Sequence, residues 1–144
     1  MKEVFQFVAI LSCALFAGAA AYVNLVEHPA RMQCGTALAT TVFGPSYRRA
    51  TVMQASLALV ATVSALGAWL LVGSALWIIG GLLIFAVVPF TLLVILPTNK
   101  QLLAPDLDRA APATHRLLVR WGRLHAVRTA ASFAATILFL VAAL

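Results

Sequence analysis

ATVMQASLALVATVSALGAWLLVGSALWIIGGLLIFAVVPFTLLVIL, residues 50–96, contains no Lys, Arg, Asp or Glu. Gly73 and Ser74 divide it into two apolar runs, 50–72 and 75–96. About 20 apolar residues in helical form cross the roughly 30 Å hydrocarbon core of a bilayer, so the stretch reads as two membrane helices joined by a tight turn. The runs are continuous rather than alternating and rich in Ala, Leu and Gly, which favours helices over barrel strands. Outward from this hairpin, further apolar runs occupy 4–26 and 126–144. The expected fold is all-α: one membrane domain, 1–144, forming a four-helix bundle with its termini on the same side. Loops 27–49 and 97–125 then share the opposite side. Small residues such as Gly18, Gly67, Gly80, Gly81, Ala131 and Ala135 permit close helix packing. Pro89 is expected to kink the third span unless neighbours satisfy the freed carbonyl.

Composition agrees. Of 144 residues 63% are hydrophobic and 10% charged, and mean hydropathy is +1.02; soluble domains are nearer half apolar and a quarter charged. The net charge of +6 and pI near 10.4 would suggest nucleic acid in a soluble protein, but here they describe loops beside a membrane, and no nucleic-acid partner is expected. Nine of the ten basic residues fall at the loop end: Arg31, Arg48, Arg49, Lys100, Arg109, Arg116, Arg120, Arg123 and Arg128. Positive charge is retained on the cytoplasmic side, so the loops are placed in the cytoplasm and both termini outside, in a plasma membrane. Ala17 to Ala21 are small enough for leader cleavage, but the apolar run continues through Tyr22 and Leu25, and the first span is read as a retained helix. Cys13 and Cys34 lie at different depths, so no disulfide is expected.

The polar residues gather at the loop end. Asn24, Glu27, His28 and Arg31 are spaced i, i+3, i+4, i+7, one face of a helix running that far. Trp121, His125, Arg128 and Ser132 form a second stripe, and Arg116, Arg120 and Arg123 a third that turns away from it. Tyr47, Gln54 and Asn99 reach the same depth from the other two spans. A base near neutral pH, a carboxylate and a guanidinium together can abstract a proton and hold the resulting anion. Candidate catalytic residues are therefore His28, His125, Arg128, Glu27 and Asn99, with Tyr47, Gln54, Trp121 and Arg31 as candidate substrate-binding residues. Glu27 and Arg128 suit a structural ion pair as well as a site pair. Tyr47 and Trp121 also suit interfacial anchoring, and the outer arginines suit contact with anionic headgroups. Glu27 with both histidines has the composition of a two-His, one-carboxylate metal site, which makes His28 and His125 candidate metal ligands. The cofactor expectation is thus either none or a His-bound redox metal or haem. The last helix is expected to begin near Thr114 as its cap.

These residues resemble the anthrone oxygenase-like family of small four-helix membrane proteins, most of them classed as a domain of unknown function. The resemblance rests on EHPAR at 27–31, PSYRRA at 45–50 with Gln54 behind it, PTN at 97–99 and RWGRLHAVRT at 120–129. Members often carry a Trp shortly before the Pro-x-Tyr piece, where this chain has Phe43 and Gly44. The resemblance implies a membrane-embedded oxidoreductase or oxygenase that takes an apolar aromatic or quinone-like small molecule from the lipid bilayer. The alternative is a non-enzymatic membrane scaffold or accessory subunit; four spans without a repeat or a core charge argue less well for a transporter.

Overall fold

The computed structural model describes residues 1–144 and contains four long helices, α1 (Lys2–Gln33), α2 (Thr36–Val72), α3 (Ala75–Leu102) and α4 (Pro112–Ala143), with no strand. Each is long and apolar enough to cross a membrane. The chain is an integral membrane protein. Gly73 in the left-handed conformation (φ 76°) closes α2, with its amide donating to the Trp69 carbonyl, so the 73–74 turn is as short as the sequence implies. Glycine alone adopts that conformation cheaply.

Around the bundle the order is α1, α2, α3, α4, with α4 returning to α1. Neighbours run antiparallel. Phe5 packs on Gly67, Trp77 stacks on Phe139 with ring centroids 5.3 Å apart, and Cys13 meets Ser132 and Thr136. The packing is built on small residues: Ala58, Ala61, Ala65 and Ala68 line the inner face of α2 and are all but fully buried. A Cβ added at Gly80 would lie 2.5 Å from the Phe139 ring, and one at Gly67 2.5 Å from Phe5. Leu59, Leu70, Leu82, Leu93 and Ile137 are exposed on the outside, where lipid would cover them.

Much of the stretch expected as the loop 27–49 is helical. Only Cys34 and Gly35 separate α1 from α2, and Gly35 has φ 94°. In the 97–125 stretch, α3 continues to Leu102 and α4 begins at Pro112, leaving a short irregular segment between them. Pro112 takes the first helical turn, where its missing N–H is no loss. Thr114 does not cap α4 as expected; it lies one turn in, and its hydroxyl donates to the Asp108 carbonyl at 2.6 Å.

Two wide π-turns interrupt the helices, at Val23–Glu27 in α1 and at Thr91–Ile95 in α3, each shortly before a proline, Pro29 or Pro97. A proline ring clashes with the carbonyl four residues back, and a wider turn just ahead of it relieves that clash while the helix continues. At Pro89 the helix likewise continues through. Both π-turns lie at the end of the bundle where the polar residues collect.

Candidate functional site

Trp121, from the first half of α4, is 6% exposed and sits at the centre of an aromatic and cationic cluster. Phe43 from α2 meets it edge-on at 5.3 Å, His28 lies at 5.2 Å and His125 at 4.8 Å. The Arg31 guanidinium lies 5.1 Å from the Trp121 ring and 5.7 Å from Phe43, and Tyr47 stacks on Phe43. Trp121 is therefore an internal platform rather than the interfacial anchor its depth also allowed. Arg116, Arg120 and Arg123 do turn away, exposed on the opposite face of α4.

Beside this cluster lies a pocket of about 30 Å³ lined by Arg31, Tyr47, Gln54, Asn99, Trp121, His125 and Arg128, with Phe43, Ser46, Ala50, Thr51, Val23 and Ile95 completing its wall. Seven of the nine candidate site residues thus converge. Glu27 and His28 are the two that do not line it.

The two histidines are held in opposite ways. Arg31 donates to Nδ1 of His28 from both Nε (3.2 Å) and Nη2 (3.1 Å). A guanidinium can only donate, so this nitrogen carries no proton. The other edge of the His28 ring packs on α4 where Gly122 has no side chain; a Cβ there would lie 2.7 Å from Nε2. His28 is locked, with neither nitrogen turned to the pocket. His125 is the reverse. Asn24 donates through Nδ2 to the Gly122 carbonyl at 3.0 Å, which fixes its amide oxygen as the acceptor for His125 Nδ1–H at 2.7 Å and for the Thr129 hydroxyl at 2.6 Å. His125 Nδ1 must then be the protonated nitrogen, and Nε2 keeps a free lone pair with no partner in the protein.

Expected pairings are rearranged. Glu27 does not reach Arg128; its carboxylate accepts from the Ser46 hydroxyl at 2.8 Å and pairs with Arg31 at 3.5 Å. One turn of helix separates Glu27 from Arg31, and the nearer cation wins. Arg128 instead donates to Gln54 Oε1 at 2.7 Å and lies over the Phe16 ring at 5.5 Å. Glu27 is thus the counter-ion of the Arg31 that holds His28. Nor do the residues suit a two-His, one-carboxylate metal centre: His28 and Glu27 are committed elsewhere, and no three His, Cys, Asp or Glu side chains converge. Haem ligation by both histidines meets the same obstacle at His28.

The pocket is rich in unspent donors. Asn99 Nδ2, Gln54 Nε2, Trp121 Nε1 and Arg128 Nε are buried with no hydrogen-bond partner in the protein, as is one acceptor, Asn99 Oδ1. Such groups are costly and uncommon in native interiors, and each calls for a reason. No carboxylate lines the pocket, whereas two guanidiniums do. The arrangement suits an oxygen atom bearing negative charge, with a base beside it.

A family model described as anthrone oxygenase matches residues 43–138, more than half the chain. The chain belongs to the anthrone oxygenase family. No curated protein and no solved structure matches it. The matched part of this anthrone oxygenase family member holds Tyr47, Gln54, Asn99, Trp121, His125 and Arg128, and lacks α1 with Asn24, Glu27, His28 and Arg31. Where other members often carry Trp, Phe43 and Gly44 divide the work: Phe43 walls the pocket, while Gly44 faces Leu103, which a Cβ would approach to 3.4 Å.

Asn24, which holds His125, lies on the polar stripe but has no role among the sequence's site candidates. Its place on the stripe with Glu27 and His28 is the signal, and the structure keeps Asn24 and His28 on one face across the π-turn: Asn24 faces His125 and His28 faces Trp121, one turn apart on α4.

Proposed function

We propose that this protein is a membrane oxygenase that oxidises the activated methylene of an anthrone-like aromatic ketone with molecular oxygen, using His125 as the base. The observation that carries the reading is the free Nε2 of His125, set by Asn24, in a pocket of buried unpaired donors without a carboxylate. Family membership and the four membrane-crossing helices support the oxygenase class.

In the proposed reaction His125 Nε2 removes one proton from the methylene carbon, and the C–H electron pair moves through the ring to the carbonyl oxygen. The resulting phenolate-like anion is held by Arg128 and the Asn99 amide, donors already in place before charge develops. The carbon of this electron-rich anion passes an electron to dioxygen and combines with it, forming a C–O bond. The proton on His125 returns to the distal oxygen, giving a hydroperoxide. Loss of the second C–H proton with cleavage of the O–O bond leaves a new carbonyl and one molecule of water. The carbon loses four electrons and dioxygen gains four. Glu27, Arg31 and His28 support Trp121 and the wall of the pocket rather than touching the reacting atoms.

The test is conversion of anthrone to anthraquinone by the purified protein in lipid nanodiscs, followed by absorbance together with oxygen consumption, against protein-free nanodiscs. Conversion above that background, lost in His125→Ala while the helical signal and melting are retained, is the expected result. Equal conversion by His125→Ala would remove His125 from the chemistry. No conversion by a folded wild-type protein would favour the scaffold reading.

A further inference from the structure

The pocket around His125 has about 30 Å³ of free space, room for a water or two. It can take one edge of a substrate but not its whole ring system. Directly beside it, between α2 and α3, is a larger apolar cleft of about 110 Å³. The two spaces share Thr51, Gln54 and Arg128, so one molecule can occupy both. Beyond those three residues the cleft is walled by Phe16, Ala55, Ala58, Val87, Val88 and Leu92, with Thr91 at the π-turn.

From this continuity, the geometry points to the α2–α3 cleft as the ring subsite for a flat, lipid-soluble aromatic molecule, taken in sideways from the bilayer and lying across the shared residues, with its oxygen against Arg128 and Gln54 and its methylene edge toward His125. This assignment rests on the oxygenase reading above and specifies how its substrate is held. An apolar protein cavity of about 150 Å³ accommodates benzene, so about 110 Å³ with an open side suits one ring, the remaining rings lying in the mouth. The mouth faces lipid: Ala55 and Leu92 are exposed on the outer surface of the bundle. At the inner end two buried polar atoms, Gln54 Nε2 and Arg128 Nε, have no partner in the protein. A plain acyl chain offers them nothing, whereas a phenol or ketone oxygen on a ring edge satisfies them. The inner wall includes Phe16, whose ring lies under the Arg128 guanidinium, so an incoming ring meets an aromatic face already beside the cation. A second cleft of about 150 Å³, between α3 and α4 and lined by Leu83, Ala86, Phe90 and Val127, is large enough for a ring but touches the polar pocket only through Arg128, and so serves as the internal comparison.

The experiment measures binding of a fluorescent hydroxyanthraquinone to the full chain in nanodiscs, for wild type, Ala55→Phe, Leu92→Trp and Ala86→Phe. Ala55 and Leu92 lie at the mouth of the ring cleft and Ala86 in the comparison cleft, all exposed to lipid, so none of the three disturbs the packed interior. At least tenfold weaker binding in Ala55→Phe and Leu92→Trp, with Ala86→Phe within twofold of wild type, is the expected outcome. Wild-type binding that neither mouth variant weakens, or that only Ala86→Phe weakens, overturns the cleft assignment and leaves the oxygenase reading in place. Displacement of the probe by a saturated fatty acid as readily as by a non-fluorescent anthrone would make the cleft an acyl-chain groove and overturn the aromatic occupant. Absence of wild-type binding overturns the cleft assignment, and the anthrone conversion assay decides the oxygenase reading separately.

Discussion

Asn24 decides what His125 can do. The carboxamide is itself oriented by the Gly122 carbonyl, and it in turn fixes which imidazole nitrogen carries the proton. Asn24→Ala leaves Nδ1–H without its acceptor and frees the ring to turn or to exchange tautomers. If His125 is the base, His125→Ala should cost about 10²–10⁴-fold in anthrone conversion, the usual contribution of a positioned base. Asn24→Ala should then lose about tenfold or more, since the wrong tautomer disables an otherwise intact base. Asn24→Asp, which keeps the acceptor, should retain more activity than the alanine variant. Equal rates for wild type and Asn24→Ala would mean the tautomer is not set by this contact. At the same scale, Gly122→Ala puts a methyl where the His28 ring lies, and the ring can move only by leaving both Arg31 hydrogen bonds. A loss of about 1–3 kcal/mol in denaturant unfolding is expected from such overpacking. An unchanged midpoint would show that His28 is held less firmly than its contacts imply.

At the scale of helices, close approach and irregular turns do different work. Gly80 lets α3 approach Phe139 on α4, whereas a Cβ at Gly18 would meet nothing within 4 Å. Gly80→Ala is therefore expected to destabilise the bundle by about 1–3 kcal/mol through overpacking. Gly18→Ala should be neutral, or stabilise by up to about 1 kcal/mol, because alanine is the better helix former. Reversible unfolding in mixed detergent micelles compares the two directly, and equal effects would refute the contact-based distinction. This contrast also shows what was legible in the sequence. The spans, their hairpin and the inward stripe of Trp121, His125, Arg128 and Ser132 follow from hydropathy and a 3.6-residue period, and the structure has them. What that period does not show is the pair of π-turns at Val23–Glu27 and Thr91–Ile95. Pro29 and Pro97 were visible, but a proline alone does not tell a kink from a wide turn. Shared depth makes Glu27 and Arg128 expected partners, but depth does not show that each has a nearer one. The helical continuation past Glu27 was hidden for another reason: charged residues end an apolar run without ending a helix.

For the molecule as a whole, charge is divided along the bundle axis. Lys2 is the only basic side chain at the end where Phe5, Gly67, Trp77 and Phe139 meet, and the other nine lie toward the His125 end. Basic residues near span ends are retained on the cytoplasmic side during insertion, so the His125 end should face the cytoplasm. The chain carries its own reporter of this. Cys34 is exposed in the short connection between α1 and α2 at that end, whereas Cys13 is buried among α1 and α4 with its thiol donating to the Ser132 carbonyl. A membrane-impermeant maleimide should therefore label a single thiol, and only from one face. Labelling is expected in inside-out vesicles and absent in intact cells, and Cys34→Ser should abolish it in both. A Cys34 that reacts in intact cells would reverse the orientation and would place the nine basic residues against the positive-inside preference. The same result would move the His125 pocket to the outer leaflet, yet its lateral cleft would still open to lipid, because the mouth lies on the side of the bundle rather than at either end.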